Sequence, residues 1–462
     1  MSESTADPSI ITELPALPIE FRFRDFPDKL VVHIMLFQRK NRKDLREVKG
    51  QKTKDGNNKM KVALFTNNFF PRLSGVSVAV NFVNSALNRK GIDTLVVAPD
   101  YGYGKMVRGV EVFRVKSVYL MPMRMSLPLS RFDEEAISEV MDNWKPDLIH
   151  SHHPFLLGKA GLDMANRLDV PLVYTFHTLY EFFTHYFMLD TDAVKKAVRD
   201  YVVRYANRCD QVVAPTEPIR EHLINVGVTT PVKTVPTGID FTRFKKVTDE
   251  QVKGLRKNYG LGKFDGVLLY VGRISKEKNV YLCLRALKKL VDRGKNYALM
   301  YIGDGPEIEG LKAEAGELEL TDRVVWGGFL DQDTLAAAYF LGDVFLFPSP
   351  SDTQGIVLYE AGAAGLPVVA TETMASRAAV KPGKNGLFAE EDPDDFAEKI
   401  ETILSDRDRF AEQFDTDKFS HDYLGDVYSD MYRYLIEQGR KESGREETGL
   451  TRLVDEIMAL IG

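Results

Sequence analysis

The stretch Ser349-Pro-Ser-Asp-Thr-Gln-Gly-Ile-Val-Leu-Tyr-Glu-Ala-Gly-Ala-Ala-Gly-Leu-Pro-Val-Val-Ala370 passes from loop to helix to strand. Just upstream, Val344 to Phe347 is an unbroken apolar run ended by Pro348, the mark of a buried strand. Prolines and serines then make a loop. Ile356 to Ala364 has helical spacing with no breaker before Gly362, and Gly365-Leu-Pro367 stops the helix ahead of Val368-Val369-Ala370. A strand–helix–strand unit whose strands are apolar throughout belongs to a parallel sheet covered on both faces.

Two carboxylates bracket the turn. Asp352 lies in the loop and Glu360 about two turns down the helix, with seven residues between them. Ionised carboxylates only accept hydrogen bonds, so such a pair suits a ligand rich in hydroxyls. Between them the N–H groups of Gln354, Gly355, Ile356 and Val357 open a helix, a natural anion site. Hydroxyl acceptors beside an anion cradle fit a nucleotide-sugar diphosphate. The competing reading is an ordinary helix start capped by Asp352.

With 462 residues, 44% hydrophobic and 28% charged, the chain has a globular composition and is too long for one small core. A net charge of −6 excludes a global nucleic-acid-binding balance. Cys209 and Cys283 are the only cysteines, with neither metal spacing nor a disulfide framework, which suits a reducing cytoplasm. No apolar run reaches the length of a membrane span, and Met1 to Ala16 is acidic where a secretory leader is basic.

Residues 1–59 differ from the rest. Phe21-Arg-Phe-Arg-Asp-Phe26 and an apolar run from Leu30 to Phe37 precede a basic segment that includes Arg39, Lys40, Arg42 and Lys43. The extension reads as a disordered tail, a membrane arm drawn to anionic lipid, or a stretch ahead of the native start at Met60. From Met60 short Val/Leu/Ile-rich strands alternate with helices: Val62–Phe65, Thr94–Ala98, Val110–Val115, Asp147–His150, Leu172–Phe176 and Gln211–Ala214. A second series runs through Val267–Val271, Leu299–Ile302, Val324–Trp326, Val344–Phe347 and Pro367–Ala370. The expected organisation is an α/β chain with a Rossmann-like acceptor-side domain over 60–240, a donor domain over 241–419, and a terminal helix and tail over 420–462. Tyr423, Leu424, Val427, Met431, Tyr434 and Leu435 are expected along one side of that helix, and a last short helix near Leu450 to Ile461. No G-x-G-x-x-G follows either first strand, which disfavours a nicotinamide or flavin enzyme.

Several further segments agree with a nucleotide-sugar ligand. Gly272-Arg-Ile-Ser-Lys-Glu-Lys-Asn279 follows the first strand of the second series. Two fixed cations there would stabilise the charge of a departing diphosphate and stand in for a divalent metal; the plain reading is two surface cations. Phe70-Pro-Arg-Leu-Ser-Gly75 follows the first strand of the chain, and Ile302-Gly-Asp-Gly-Pro306 is a plausible plain turn. His150-Ser-His-His-Pro-Phe-Leu-Leu-Gly158 places three histidines after a strand. Asp190-Thr-Asp192 and Asp331-Gln-Asp333 have a metal-binding form but no matching context, and read as solvated acids. No metal or cofactor is expected.

From about residue 60 to 435 these motifs resemble the retaining glycosyltransferases of family four, which have the GT-B fold. There the acidic pattern is Glu, seven residues, Glu, and a small-residue run ending Gly-x-Pro-Val-Val-Ala; here Asp352 replaces the first Glu, and Gly362 stands where Met is common. The resemblance implies a GT-B fold, two Rossmann-like domains facing a cleft with a C-terminal helix crossing back. It assigns Gly75, Arg273, Lys278, Asp352, Gly355, Ile356, Val357 and Glu360 to the donor, with Glu360 on the ribose and Asp352 on the sugar. It makes His152 and Asp352 the catalytic pair, leaves His150 and His153 open, and sets Ile302-Gly-Asp-Gly-Pro306 near the donor nucleotide without a specific contact.

Thr175-Phe-His-Thr-Leu-Tyr-Glu-Phe-Phe-Thr-His-Tyr186 is similar to a segment of bacterial diacylglycerol glucosyltransferases, as is Asp352-Thr-Gln-Gly355. That implies His177, Tyr180, Glu181 and His185 at an amphiphilic acceptor. Lys195, Lys196 and Arg199 share a helix face that either meets anionic headgroups or is simply solvated. The implied activity is transfer of glucose from UDP-glucose to diacylglycerol, by a cytoplasmic protein peripheral at the inner face of the membrane. A soluble-sugar or phosphatidylinositol acceptor with another nucleotide sugar, and a non-catalytic nucleotide-sugar sensor, are the alternatives.

Overall fold

Lys61–Phe65 and Gly266–Val271, each an apolar run followed by turn residues, are interior strands of two parallel sheets in the computed structural model. It describes residues 19–21, 32–36, 59–72, 74–101, 109–120, 125–128, 133–187, 191–410, 412 and 416–440. Side-chain alternation shows why both sheets are buried on both faces. Ala63 and Phe65 enter one core layer and Val62 and Leu64 the other; Val267, Leu269 and Val271 enter one layer and Leu268 and Tyr270 the other.

The first sheet has seven strands, in the order Val232–Thr234, Gln211–Ala214, Leu172–Thr175, Leu148–Ser151, Lys61–Phe65, Asp93–Pro99, Val112–Val115. The second has six: Val324–Gly328, Tyr297–Ile302, Gly266–Val271, Val344–Phe347, Val368–Thr371, Gly386–Ala389. Every pairing in both is parallel. Strand order reverses between Lys61–Phe65 and Leu148–Ser151, and again between Gly266–Val271 and Val344–Phe347. The carboxyl ends at those two switch points are where ligands bind in such sheets.

A separate antiparallel sheet joins Ile19–Phe21, Val32–Leu36, Ser117–Leu120 and Met125–Pro128. The extension thus contributes two short strands, while its basic segment and the helix expected near Leu450 to Ile461 lie outside the described residues. Among the described residues no helix is long and apolar enough to cross a membrane.

The C-terminal helix, His421–Gln438, crosses back and packs on Gly75–Arg89 of the first half. Its buried face matches the expected one in part. Leu424, Met431 and Leu435 are inside as expected and Val427 packs beside them, but Tyr428 and Tyr432 join them, whereas Tyr423 and Tyr434 are 42% and 61% exposed. Burying Leu424, Met431 and Leu435 is worth about 1.5–3 kcal/mol each. The inner Tyr432 is tolerated because a polar partner awaits it: its Oη lies 2.6 Å from His150 Nδ1.

Candidate active site

The segments expected to hold the donor come together at the second switch point. Gly272 to Asn279 leaves the carboxyl end of Gly266–Val271, and Pro348 to Gly355 leaves that of Val344–Phe347. Lys278 Nζ meets Asp352 Oδ1 at 2.7 Å, with side chains 18% and 25% exposed. Asp352 is therefore held by a cation rather than capping the helix. Gly355 occupies the N-cap position of Ile356–Ala363, at φ 63°, and no side chain caps that helix. A Cβ on Gly355 would lie 3.0 Å from Phe347 and from Leu358, so glycine suits both the backbone angle and the space. The first-turn N–H groups and the Lys278–Asp352 pair thus share one rim, and Arg273, in the same segment as Lys278, is exposed.

The Ile302-Gly-Asp-Gly loop buttresses this rim, a role that the sequence reading did not assign. Ile274 N–H donates to the Asp304 carbonyl at 3.0 Å, and Gly272 N–H to that of Ile302 at 3.0 Å. A Cβ on Gly303 would fall 1.9 Å from the Gly272 carbonyl oxygen, and one on Gly305 2.0 Å from that of Ile274. The two glycines spaced two apart were the available signal: backbone must approach backbone there.

Glu360, in the second turn of the same helix, accepts from Tyr339 Oη at 2.6 Å. Burial raises its carboxyl above the ordinary value against the lowering effect of that bond. It lines a cavity of about 150 Å³ shared by both halves, with Phe70, Val78 and Asn81 on one side and Arg243, Gln332 and Ile356 on the other. Gly75 begins the helix beside this cavity, after a capping box between Ser74 and Ser77. A Cβ there would meet nothing within 4 Å, so the protein's own packing does not demand a glycine.

At the first switch point the three histidines take three different roles. His150 is fully buried, its ring nitrogens 2.6 Å from Tyr432 Oη and 2.7 Å from Thr175 Oγ1, so it clasps the crossing helix to the sheet. His153 Nδ1 accepts from Asn67 N–H at 3.1 Å and ties the loops that follow Lys61–Phe65 and Leu148–Ser151. His152 is also fully buried; its Nδ1 lies 2.9 Å from His177 Nε2, and its own Nε2 has no partner. Burial favours the neutral rings: His150 and His153 are lowered to about 3, His177 to about 4, and His152 well below its ordinary value.

The Asp352 loop docks onto this histidine site. Thr353 Oγ1 donates to the His177 carbonyl at 2.9 Å, and Thr216 Oγ1 to the Thr353 carbonyl at 3.3 Å. Gln354 Oε1 accepts from Thr237 N–H at 2.8 Å. Thr353 was not among the expected site residues, and Gln354 was expected only through its backbone N–H, since uncharged side chains in a loop carry no signal of a partner elsewhere in the chain.

The segment expected at the acceptor folds as a 3₁₀ turn, Tyr180–Phe187. Tyr180 packs edge-on against Phe155 with ring centroids 4.9 Å apart. The Glu181 carbonyl accepts from Thr184 Oγ1 at 3.2 Å, and Phe182 is 39% exposed. His185 falls in this turn, but its side chain lies outside the described residues. On the following helix, Asp192–Ala206, Lys196 pairs with Asp200 at 2.6 Å. Asp190 lies outside the described residues, whereas Asp331 is a helix N-cap, accepting from the backbones of Asp333 and Thr334 at 3.1 and 3.0 Å.

Two family descriptions match the sequence: "Glycosyl transferases group 1" over residues 252–418 and "Glycosyltransferase Family 4" over residues 73–243. An alpha-monoglucosyldiacylglycerol synthase of Streptococcus pneumoniae is 29% identical over 314 residues, 67% of this chain and 71% of the relative. A GDP-mannose-dependent alpha-mannosyltransferase of Mycolicibacterium smegmatis is 31% identical over 340 residues, 72% of this chain and 85% of the relative. The crystal structure of Anabaena Alr3699/HepE in complex with UDP-glucose shares the fold, with a TM-score of 0.63 at 18% identity, over 82% of this chain and 99% of that one.

Proposed function

The chain belongs to the family-four glycosyltransferases of GT-B fold, and we propose that it transfers glucose from UDP-glucose to the hydroxyl of diacylglycerol with retention of configuration. The observation that carries this reading is the bond from Thr353 Oγ1 to the His177 carbonyl, 2.9 Å long. It joins the loop expected to hold the donor to the segment whose sequence is similar to that of diacylglycerol glucosyltransferases. The name of the pneumococcal relative supports the same acceptor.

In this reading the diphosphate sits on the first-turn N–H groups of Gly355, Ile356 and Val357, with Arg273 and Lys278 countering the charge that develops as the glycosidic bond breaks. Those cations act in place of a divalent metal. Glu360 takes the ribose hydroxyls and Asp352 the sugar, while Gly75 brings backbone from the facing half. The acceptor hydroxyl attacks from the face the phosphate leaves, through an oxocarbenium-like transition state, and the departing phosphate takes its proton. His152 orients a sugar hydroxyl; His177, Tyr180, Glu181 and His185 border the acceptor. Closure of the halves excludes water that would hydrolyse the donor. The protein meets its acceptor at the inner membrane surface through local basic and aromatic contacts rather than by insertion.

The name of the mycobacterial relative favours a second reading, mannose from GDP-mannose to another acceptor. Transfer assays crossing UDP-glucose and GDP-mannose with diacylglycerol in anionic vesicles, phosphatidylinositol vesicles and soluble sugars separate the two. Glucosylation of diacylglycerol that persists in EDTA is expected. Mannosylation alone, or a soluble product alone, overturns the proposal. Vesicle co-sedimentation that weakens with salt tests the membrane contact, since exposed charges are screened over about 10 Å at 0.1 M ionic strength.

A further inference from the structure

Asn81 is a half-buried residue in the middle of the helix Gly75–Arg89, and its Oδ1 is buried with no hydrogen-bond partner among the described residues. The position is unfavourable twice over. Asparagine is a poor helix former, and a buried acceptor without a donor costs its desolvation. The same helix shows how such a residue is ordinarily satisfied: Asn84, 1% exposed, accepts from Thr94 Oγ1 at 2.6 Å. Asn81 instead borders, with Val78 and Phe82, the cavity that Glu360 lines from the other half. The last torsion of an asparagine is soft, so a turn of the amide exchanges its oxygen and nitrogen, and the group can accept or donate at the cavity wall.

The other polar groups on this cavity are engaged within the protein. Arg243 donates to Gln332 Oε1 and lies 3.5 Å from Asp240. Asp240 accepts from Thr242 N–H and Oγ1 at 3.1 and 2.5 Å. The His421 ring is stacked on Phe82, with centroids 3.7 Å apart. Glu360 gives Oε2 to Tyr339, but a carboxylate has several lone pairs and retains acceptor capacity. The cavity is also fixed in shape where Asn81 stands. Ile239 N–H donates to the Phe419 carbonyl at 3.2 Å, where the chain passes between the halves, and a Cβ on Gly238 would fall 2.0 Å from Phe82. A residue beside that joint is displaced least by any swing of one half against the other. We infer that Asn81 is a ligand-binding residue, whose amide hydrogen-bonds a nucleotide ribose hydroxyl that Glu360 holds from the other half. Such a hydroxyl has one hydrogen to give Glu360 and lone pairs to take an N–H of Asn81. That a nucleotide enters the cavity rests on the glycosyl-transfer reading; UDP and GDP carry the same ribose, so either donor serves.

Calorimetry on the full chain with UDP, GDP, 2′-deoxy-UDP and 3′-deoxy-UDP tests this in wild type, Asn81→Ala and Asn81→Leu. Both substitutions should weaken UDP and GDP binding roughly tenfold, the equivalent of about 1.4 kcal/mol or one neutral hydrogen bond. The deoxy nucleotide that lacks the shared hydroxyl should bind all three chains alike, because either deletion removes the same bond. Without nucleotide, both variants should melt at or above the wild-type temperature, since the unmet acceptor is gone. A residue that serves packing alone would lower the midpoint in both variants and leave the preference for the intact ribose unchanged. That result, or wild-type affinity for UDP and GDP in both variants, overturns the inference alone. A wild-type chain that binds neither UDP nor GDP overturns it together with the proposed function. The calorimetry requires no turnover, so the expected binding without transfer to any acceptor would count against the proposed function alone.

Discussion

Thr353 and His177 lie 176 residues apart and are joined by a 2.9 Å hydrogen bond from hydroxyl to carbonyl, so the Asp352 loop is docked on the histidine site of the other half. Removing that hydroxyl should loosen closure without touching the donor. Thr353→Val is expected to raise donor hydrolysis relative to transfer and to slow transfer up to about tenfold, the worth of one neutral hydrogen bond. Thr353→Ser should behave as wild type. Release of UDP with and without acceptor gives the ratio, and equal ratios for the two variants would refute the latch.

Lys278 and Asp352 form the ion pair at the proposed diphosphate site, 2.7 Å apart and largely sheltered. Lys278→Ala or Arg273→Ala should cost about 10²–10³ in turnover, the usual loss for one group that stabilises developing charge. Asp352→Asn should impair transfer more than nucleotide binding, whereas Glu360→Gln should weaken nucleotide binding. Because Lys278 and Asp352 touch, their effects should fall short of adding in the double variant. Calorimetry with free nucleotide and rates with the nucleotide sugar measure both. Near-wild-type turnover in Lys278→Ala and Arg273→Ala would remove the clamp.

What the sequence carried and what it lacked follow from the range of each force. Apolar runs such as Val344–Phe347 are read locally, and that strand falls where expected. The edge strands Val232–Thr234 and Gly386–Ala389 were not anticipated, because short, partly exposed strands lack such a run. Side-chain periodicity placed the crossing helix and its Leu424, Met431 and Leu435 but not its inner tyrosines: Tyr432 is inside because His150, 282 residues away, offers a partner. The pairing of Lys278 with Asp352 likewise depends on which strands are neighbours, and the order of strands is not written in either loop.

The buried histidines set the response to acid. His150 and His153 titrate near 3 and His177 near 4 in the folded chain, all depressed by burial, whereas an unfolded histidine titrates at about 6.5. Between those values the unfolded state binds more protons, so stability rises with pH there. Their contribution is fully present above about pH 6.5 and is lost as pH falls toward the folded values. Thermal midpoints should therefore be flat from neutral pH upward and decline on acidification. Since none of these rings titrates near neutrality in the fold, they should give kcat no inflection between about pH 5.5 and 8. An inflection there that disappears in His152→Gln would mean that the ring titrates normally and is not sealed by burial.

Arg440 and Asp210 bind the end of the crossing helix to the first sheet. Their side chains are 4% and 3% exposed and 2.9 Å apart. Asp210 Oδ2 also accepts the Leu172 N–H at 2.7 Å, and Arg440 reaches Asn166 Oδ1 at 2.6 Å. Burying both charges costs desolvation that their attraction only offsets, so the pair as a whole adds little stability. Breaking it is another matter, because one charge stays buried without its partner. Arg440→Ala should lower the unfolding free energy by about 3–5 kcal/mol, while Arg440→Leu combined with Asp210→Asn should lose much less. The pair belongs to neither switch-point site, so kcat of the folded fraction should hold. Urea unfolding of the two variants at neutral pH measures the difference; equal losses would mean that Arg440 serves through packing of its stem and not through its charge.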